Sequence, residues 1–270
     1  MGVLRRFAYR EVEGLRTGRF DLEVNTSAVL YRLGTTLIDT GPPNRWPQVR
    51  EFLQKQPPER VLLTHHHEDH SGNAARIQAT FGTQIMAHPA ALPELAAGWR
   101  LRPYQRFFWG RPPKLEAKPV PESVQLEGGL HLRALPVPGH ADDLVCYLEA
   151  ERGWLFTGDL YVGGRPRYLR QDENLPLQIE SLRTILQYEF KVVFCGHRGV
   201  VTEGYHAMEE KLDYLLSFCD QVKQLHGKGV PVREITRRLL GREDLTSLAT
   251  LGHFTKGNMV RGCLAGYVPE

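Results

Sequence analysis

No run in this chain approaches the ~20 consecutive apolar residues that cross a bilayer, and Met1 to Arg10 has no continuous apolar stretch of the kind an export signal carries. A membrane partner is therefore not expected, and a cytoplasmic setting is. Cysteine is sparse: four residues, at 146, 195, 219 and 263, share no Cys-x-x-Cys spacing. That excludes a thiolate-rich structural zinc site, and reduced thiols are the expectation. Excess charge is missing too. A net +3 with 24% charged residues is too little to argue for nucleic acid or an anionic surface. Gly-x-Ser-x-Gly, Gly-x-Gly-x-x-Gly and phosphate-loop patterns are all absent, which removes a serine nucleophile elbow, a dinucleotide fold and a nucleotide cradle.

The chain is rich in histidine at one place. Thr64-His65-His66-His67-Glu68-Asp69-His70-Ser71-Gly72 directly follows the apolar run Val61-Leu62-Leu63. If residues 60 to 63 form a strand and Ser71 caps a helix reaching Thr80, the loop between must reverse direction. Neighbouring side chains then diverge. Imidazole and carboxylate donors suit zinc, iron or manganese. Three further candidates stand behind strand-like runs of their own: His140 in Pro-Gly-His, Asp159 in Thr-Gly-Asp and His197 in Gly-His-Arg-Gly. Gly158 and Gly196 each precede a candidate ligand, as tight turns or a close backbone approach require.

His-x-His-x-Asp-His followed by a lone His, an Asp and a final Gly-His resembles the metallo-β-lactamase superfamily, in its glyoxalase-II-like branch. The resemblance runs from about Asp39 to Gly199. It implies two divalent ions, zinc first, with iron or manganese as alternatives. His65, His67 and His140 would hold one ion and Asp69, His70 and His197 the other, with Asp159 bridging. Asp69 and Asp159 would be catalytic in the hydrolysis of a small ester, thioester or lactone by water activated between the ions. Asp39 would support the ligands from behind. The alternatives are a phosphodiesterase or ribonuclease, and a non-hydrolytic metal-binding or iron-dependent oxygenase role.

The resemblance also implies the fold: an α/β, four-layer αβ/βα sandwich of two mixed sheets flanked by helices, over residues 1 to 204. Residues 205 to 270 read as a C-terminal helical appendage, because Met208, Leu212, Leu215, Leu216, Cys219, Val222 and Leu225 recur at spacings of three and four. Alternation marks a hairpin over 22 to 39, and Pro57-Pro58 ends a helix over 46 to 55.

Residues 90 to 121 interleave Trp99, Tyr104, Phe107, Phe108 and Trp109 with Arg100, Arg102, Arg106 and Arg111. They read as an irregular insertion forming a lid over a small-molecule cleft; stacking on nucleic acid is the alternative not favoured. Substrate contacts are sought at His88, at a strand end, at Arg165 and Arg167 in the segment leaving Asp159, and at Lys256 in the tail. His131, His206, His226 and His253 carry no metal spacing and are given no role. Whether the chain pairs as a homodimer is open on sequence alone.

Overall fold

A computed structural model describes residues 2–20 and 26–265. Residues 22 to 25 of the expected hairpin and 266 to 270 of the expected tail lie outside the described residues. The chain opens with a strand pair not marked in the sequence, β1 (Val3–Tyr9) and β2 (Val12–Gly18). The hairpin about Gly34-Thr35 follows as β3 (Ala28–Leu33) and β4 (Thr36–Ile38). Then come β5 (Arg60–Leu62), β6 (Gln84–Ala87) and β7 (Lys118–Pro119), each parallel to its predecessor. Together β1 to β7 form one mixed sheet in sequence order. β1 is an edge strand whose exposed Arg5 and Arg6 mask its alternation in the sequence.

The second sheet is built from β8 (Ser123–Gln125), β9 (His131–Pro136), β10 (Val145–Glu149), β11 (Trp154–Gly158), then, past the short β12 (Leu169–Arg170), β13 (Val192–Cys195) and β14 (Gly199–Val201). Its order is β14-β13-β11-β10-β9-β8, with β11 and β13 parallel and the other neighbours antiparallel. β12 instead pairs with β15 (Phe254–Thr255), a contact that ties the tail to the segment after Asp159.

The period of two sorts side chains between layers. Val29 and Tyr31 of β3, Val145 and Tyr147 of β10, Trp154 and Phe156 of β11, and Val192 and Phe194 of β13 all share the cluster between the sheets. Their alternates Cys146, Leu148, Leu155, Val193 and Cys195 face the opposite way. Both faces of these strands are buried, so they read as continuous apolar runs. The rings of Phe156 and Phe194 stack at 4.5 Å, and Tyr31 meets Phe194 edge-on at 5.4 Å.

Helices cover both outer faces. α1 (Trp46–Gln54), α2 (Ala74–Phe81) and α3 (Leu92–Ala97) pack on the first sheet through Val49, Ile77 and Leu95. α4 (Pro103–Phe108) stands beyond them in the insertion. On the second sheet lie α5 (Leu175–Ile185), α6 (Gly204–Gly227) and α7 (Val232–Leu240), then the short α8 (Leu245–Ala249) and α9 (Lys256–Leu264). Leu182, Met208, Leu215, Val222, Ile235 and Met259 join the same buried cluster as that sheet's outward face. The result is the αβ/βα sandwich, four layers deep.

Two expectations are corrected. The helix after the histidine loop begins at Ala74 rather than Ser71, and its N-cap is Asn73. The Ser71 hydroxyl donates back to the His66 carbonyl at 2.5 Å, while the Asn73 amide donates to the carbonyls of Thr40, Gly41 and Pro42. Nor are all four thiols reduced. Cys219 of α6 and Cys263 of α9 are paired as a disulfide, with Cα atoms 4.9 Å apart across 44 residues of sequence. Packing of the two helices creates that proximity, and no spacing rule could show it.

Candidate metal centre

The histidine loop turns because the His67 carbonyl accepts from both His70 N and Ser71 N, at 3.0 and 2.9 Å. Its ends are pinned to both sheets: Thr40 N donates to the His70 carbonyl at 2.7 Å, and Val145 N to the Thr64 carbonyl at 2.8 Å. Asp143 fixes the middle, taking His66 N at 2.7 Å and His66 Nδ1 at 2.9 Å.

Behind the loop stands Asp39. Its carboxylate accepts from Thr64 N at 2.8 Å and Thr64 Oγ1 at 2.8 Å, and from His70 Nδ1 at 2.8 Å. Its backbone lies at φ +60°, a left-handed conformation costing a non-glycine residue on the order of 1 kcal/mol. The three hydrogen bonds hold it there.

The seven side chains singled out in the sequence converge from four chain segments. His140 Nε2 lies 3.1 Å from His67 Nδ1 and 3.3 Å from Asp159 Oδ2. Asp159 Oδ1 lies 3.2 Å from both His70 Nε2 and His197 Nε2, and Asp69 Oδ2 is 3.5 Å from the latter. Three overlapping groups have their donor atoms within 4.8 Å of one another: His65, His67 and His140; His65, His70 and Asp159; and Asp69, His70 and His197. Asp159 thus touches both halves of the cluster.

The outward ring nitrogens are committed elsewhere, which turns the others inward. His197 Nδ1 bonds the Ser27 carbonyl at 2.7 Å, His140 Nδ1 meets Glu173 at 3.0 Å, and His65 Nδ1 meets Thr64 Oγ1 at 3.1 Å. This is the arrangement that sets ligand tautomers in metalloproteins.

Glycine makes the cluster possible. A Cβ on Gly196 would stand 2.6 Å from His70 Cε1 and 3.1 Å from Asp159 Oδ1, and one on Gly158 would stand 2.8 Å from the Thr64 side chain. Tyr31 supports the turn by donating its hydroxyl to the Cys195 carbonyl at 2.6 Å.

Electrostatics separate the members. Burial, reinforced by His70, holds His65 well below the usual histidine range. Burial alone would raise Asp159, but His197, His70 and His140 outweigh it and hold that carboxyl well down. His70 is opposed by burial yet pushed well up by Asp159, Asp69 and Asp39.

Do these residues fit divalent cations? His65 Nε2, His70 Nε2 and Asp159 Oδ1 are buried without a hydrogen-bond partner. Such atoms are costly unless something satisfies them. An acceptor carboxylate among inward imidazole nitrogens is the donor set a divalent transition ion requires. They fit.

The remaining sequence candidates stand elsewhere. His88 accepts from Ala90 N at 3.3 Å, Arg167 donates to the Leu240 carbonyl at 2.8 Å, and Lys256 pairs with Asp244 at 2.8 Å. Arg165 is exposed. None of the four lines the cavity above the cluster. That cavity, about 860 Å³, is walled by His66, His67, Trp99, His140, Arg170 and His253, among others. His253, given no role in the sequence, hydrogen-bonds Tyr104 of the insertion at 2.8 Å. Arg170, the third arginine of the segment leaving Asp159, lies 3.3 Å from His67 Nδ1. Nothing in that segment's sequence distinguished it from its two neighbours.

A family model described as the metallo-beta-lactamase superfamily matches residues 20–197. An atrochrysone carboxyl ACP thioesterase of Aspergillus fumigatus is 29% identical over 191 residues, which cover 68% of this chain and 54% of that protein. A hydroxyacylglutathione hydrolase of Rhodopseudomonas palustris is 28% identical over 188 residues, covering 68% of this chain and 65% of its own. The match therefore spans roughly half to two thirds of these relatives. Among solved structures, a metallo-beta-lactamase family protein from Thermus thermophilus superposes with a TM-score of 0.67 at 21% identity, over 96% of this chain and 94% of the other. That likeness shows the fold. With the family match taking in every member of the cluster from His65 to His197, the chain belongs to the metallo-β-lactamase superfamily.

Proposed function

We propose that this chain is a metal-dependent hydrolase of a small thioester, ester or lactone. The observation that carries the reading is the convergence of seven His and Asp side chains beside a cavity of about 860 Å³ whose wall includes His67 and His140, within the range of small-molecule sites. The names of its relatives, a thioesterase and a hydroxyacylglutathione hydrolase, point the same way.

His65, His67 and His140 would hold one divalent ion and Asp69, His70 and His197 a second, with Asp159 shared. Zinc is the ion we assign; iron and manganese suit the same donors. Bound there, the ions supply Lewis acidity, lowering the pKa of water and stabilising negative charge on an acyl oxygen. Asp69, at the edge of the cluster, accepts a hydrogen bond from the attacking water and aims its lone pair at the acyl carbon. Asp39 and the Ser27 carbonyl keep His70 and His197 in the inward-facing tautomer. Trp99, whose ring meets His66 edge-on at 5.2 Å, closes one side against bulk water. Water adds to the acyl carbon, the carbon–sulfur or carbon–oxygen bond breaks, and the leaving group departs with a proton.

No helix among the described residues is long and apolar enough to cross a membrane. The residues from 205 onward act, in this reading, as an appendage that lends His253 to the cavity wall.

The test is a panel of butyryl thioester, lactone, bis-4-nitrophenyl phosphate and single-stranded RNA, assayed after elemental analysis of untreated protein. Turnover of an acyl substrate, lost on chelation and restored by zinc, is expected. Cleavage of RNA or the phosphodiester alone would replace this reading by a phosphodiesterase one.

A further inference from the structure

Arg170 is the residue of this cavity whose placement the proposed hydrolysis does not explain. Its Nε and Nη2 grip Asp172 at 3.0 and 2.8 Å, which leaves Nη1 to approach His67 Nδ1 at 3.3 Å. Only 12% of its side chain is exposed. The grip is itself held from two other parts of the chain: His253 Nε2, in the tail, bonds Asp172 at 3.1 Å, and Tyr104 Oη, in the insertion, bonds His253 Nδ1 at 2.8 Å. Three distant segments therefore cooperate to fix one guanidinium against one imidazole.

That imidazole belongs to the metal cluster. A His67 Nδ1 that gives its lone pair to a cation has none left for Arg170. Of the five guanidinium N–H groups, two are engaged by Asp172, and those on Nη1 then lack a protein acceptor. Asp172, Glu173 and the buried Glu68 offset part of the charge of this fixed guanidinium, and an anion held between Nη1 and a cation cluster offsets it further. The surrounding wall adds to the imbalance: Arg100, Arg102, Arg106 and Arg111 line the same cavity, against Asp142 and the committed Asp172. Among the described residues, the guanidinium groups of Arg100, Arg106 and Arg111 have no hydrogen bond or ion pair.

We infer that Arg170 is a specificity determinant that receives an anionic group, carboxylate or phosphate, carried by the substrate beside the bond to be hydrolysed, with Asp172, His253 and Tyr104 as its positioning residues. This rests on the proposed hydrolase reading. A charge-assisted pair is worth roughly 1.5–3 kcal/mol, so the preference should be about tenfold or more in kcat/KM.

The experiment compares three thioesters on the zinc-loaded protein: the succinyl and butyryl thioesters of N-acetylcysteamine, and butyryl-coenzyme A. The first carries its anion on the acyl half and the third carries phosphates on the thiol half. In the wild-type protein an anionic thioester should exceed the neutral one by about tenfold or more. Arg170→Gln should bring that ratio to near one, and Arg170→Lys should keep part of it, with melting curves showing that both variants are folded. Preference for the succinyl compound assigns a carboxylate, and for the coenzyme A compound a phosphate. Equal kcat/KM in the wild type, or a preference that survives Arg170→Gln, would overturn the inference. If no thioester is turned over, the thioester part of the hydrolase reading fails and calorimetry decides for Arg170 alone. Succinate should then bind the wild-type protein and not Arg170→Gln, with succinamide as the neutral control, and equal binding to both proteins would overturn the inference.

Discussion

Asp39 Oδ2 lies 2.8 Å from His70 Nδ1, and the same carboxylate ties down Thr64 at the mouth of the histidine loop. One acidic side chain thus orients the His70 ring and fixes the start of the loop that carries four members of the cluster. Replacing it by Asn swaps a charged acceptor for an amide that can also donate. Asp39→Asn should weaken zinc binding by about 10–100-fold, read by competition with a chromophoric chelator. Unchanged affinity would mean that Asp39 serves the backbone turn alone.

Asp159 touches both halves of the cluster, within 3.3 Å of His140, His70 and His197. Asp159→Ala should abolish most hydrolysis and cut the metal content, and His65→Ala should do likewise. A stabilisation test runs in parallel: zinc at 100 times its Kd should add about 2.7 kcal/mol, a rise in Tm of several degrees for a domain of this size. That rise should shrink or vanish in Asp159→Ala.

Gly196→Ala tests the close approach of backbone to the cluster. A Cβ there meets the His70 ring and the Asp159 carboxylate, so the cluster must shift while the distant core does not. Far-ultraviolet circular dichroism should stay native while zinc affinity and turnover fall at least tenfold. Full activity would show that the loop yields at little cost.

Asp172 supplies a pH signature. Burial alone would raise its carboxyl, but hydrogen bonds from His253 and Arg170 outweigh that and hold it well below the usual carboxylate range. A depressed carboxylate stabilises the fold above its unfolded pKa, near 3.9, and that contribution is lost as pH falls toward the folded value. Tm of the wild-type protein should therefore drop more steeply below about pH 4 than Tm of Asp172→Asn. Parallel acid limbs in the two proteins would count against the tail and insertion being joined through this residue.

Much of this molecule could be read from its sequence, for local reasons. His65, His67, Asp69 and His70 lie within one turn of chain, and Val61-Leu62-Leu63 announced the strand before them. Asp159 and His197 follow strands buried on both faces, which forces continuous apolar runs, and His140 follows β9, whose alternation marks a strand with one exposed face. The edge strand β1 carries no clear apolar period, because Leu4, Arg5, Arg6 and Ala8 are exposed. The helix starts at Ala74 rather than Ser71, and neither candidate cap serves it through its side chain, because the Ser71 hydroxyl donates to the His66 carbonyl and the Asn73 amide to the carbonyls of Thr40, Gly41 and Pro42.

The chain's order of strands and of His and Asp side chains settled the family, the sandwich and the members of the cluster, since each depends on residue type and short-range period. Arg170, chosen over Arg165 and Arg167, the recruitment of His253 and Tyr104, and the pairing of Cys219 with Cys263 were decided only in three dimensions. Those relationships join residues 44 to 149 positions apart. Their energies come from groups that meet only after the sheets and the tail have packed, so no local pattern records them.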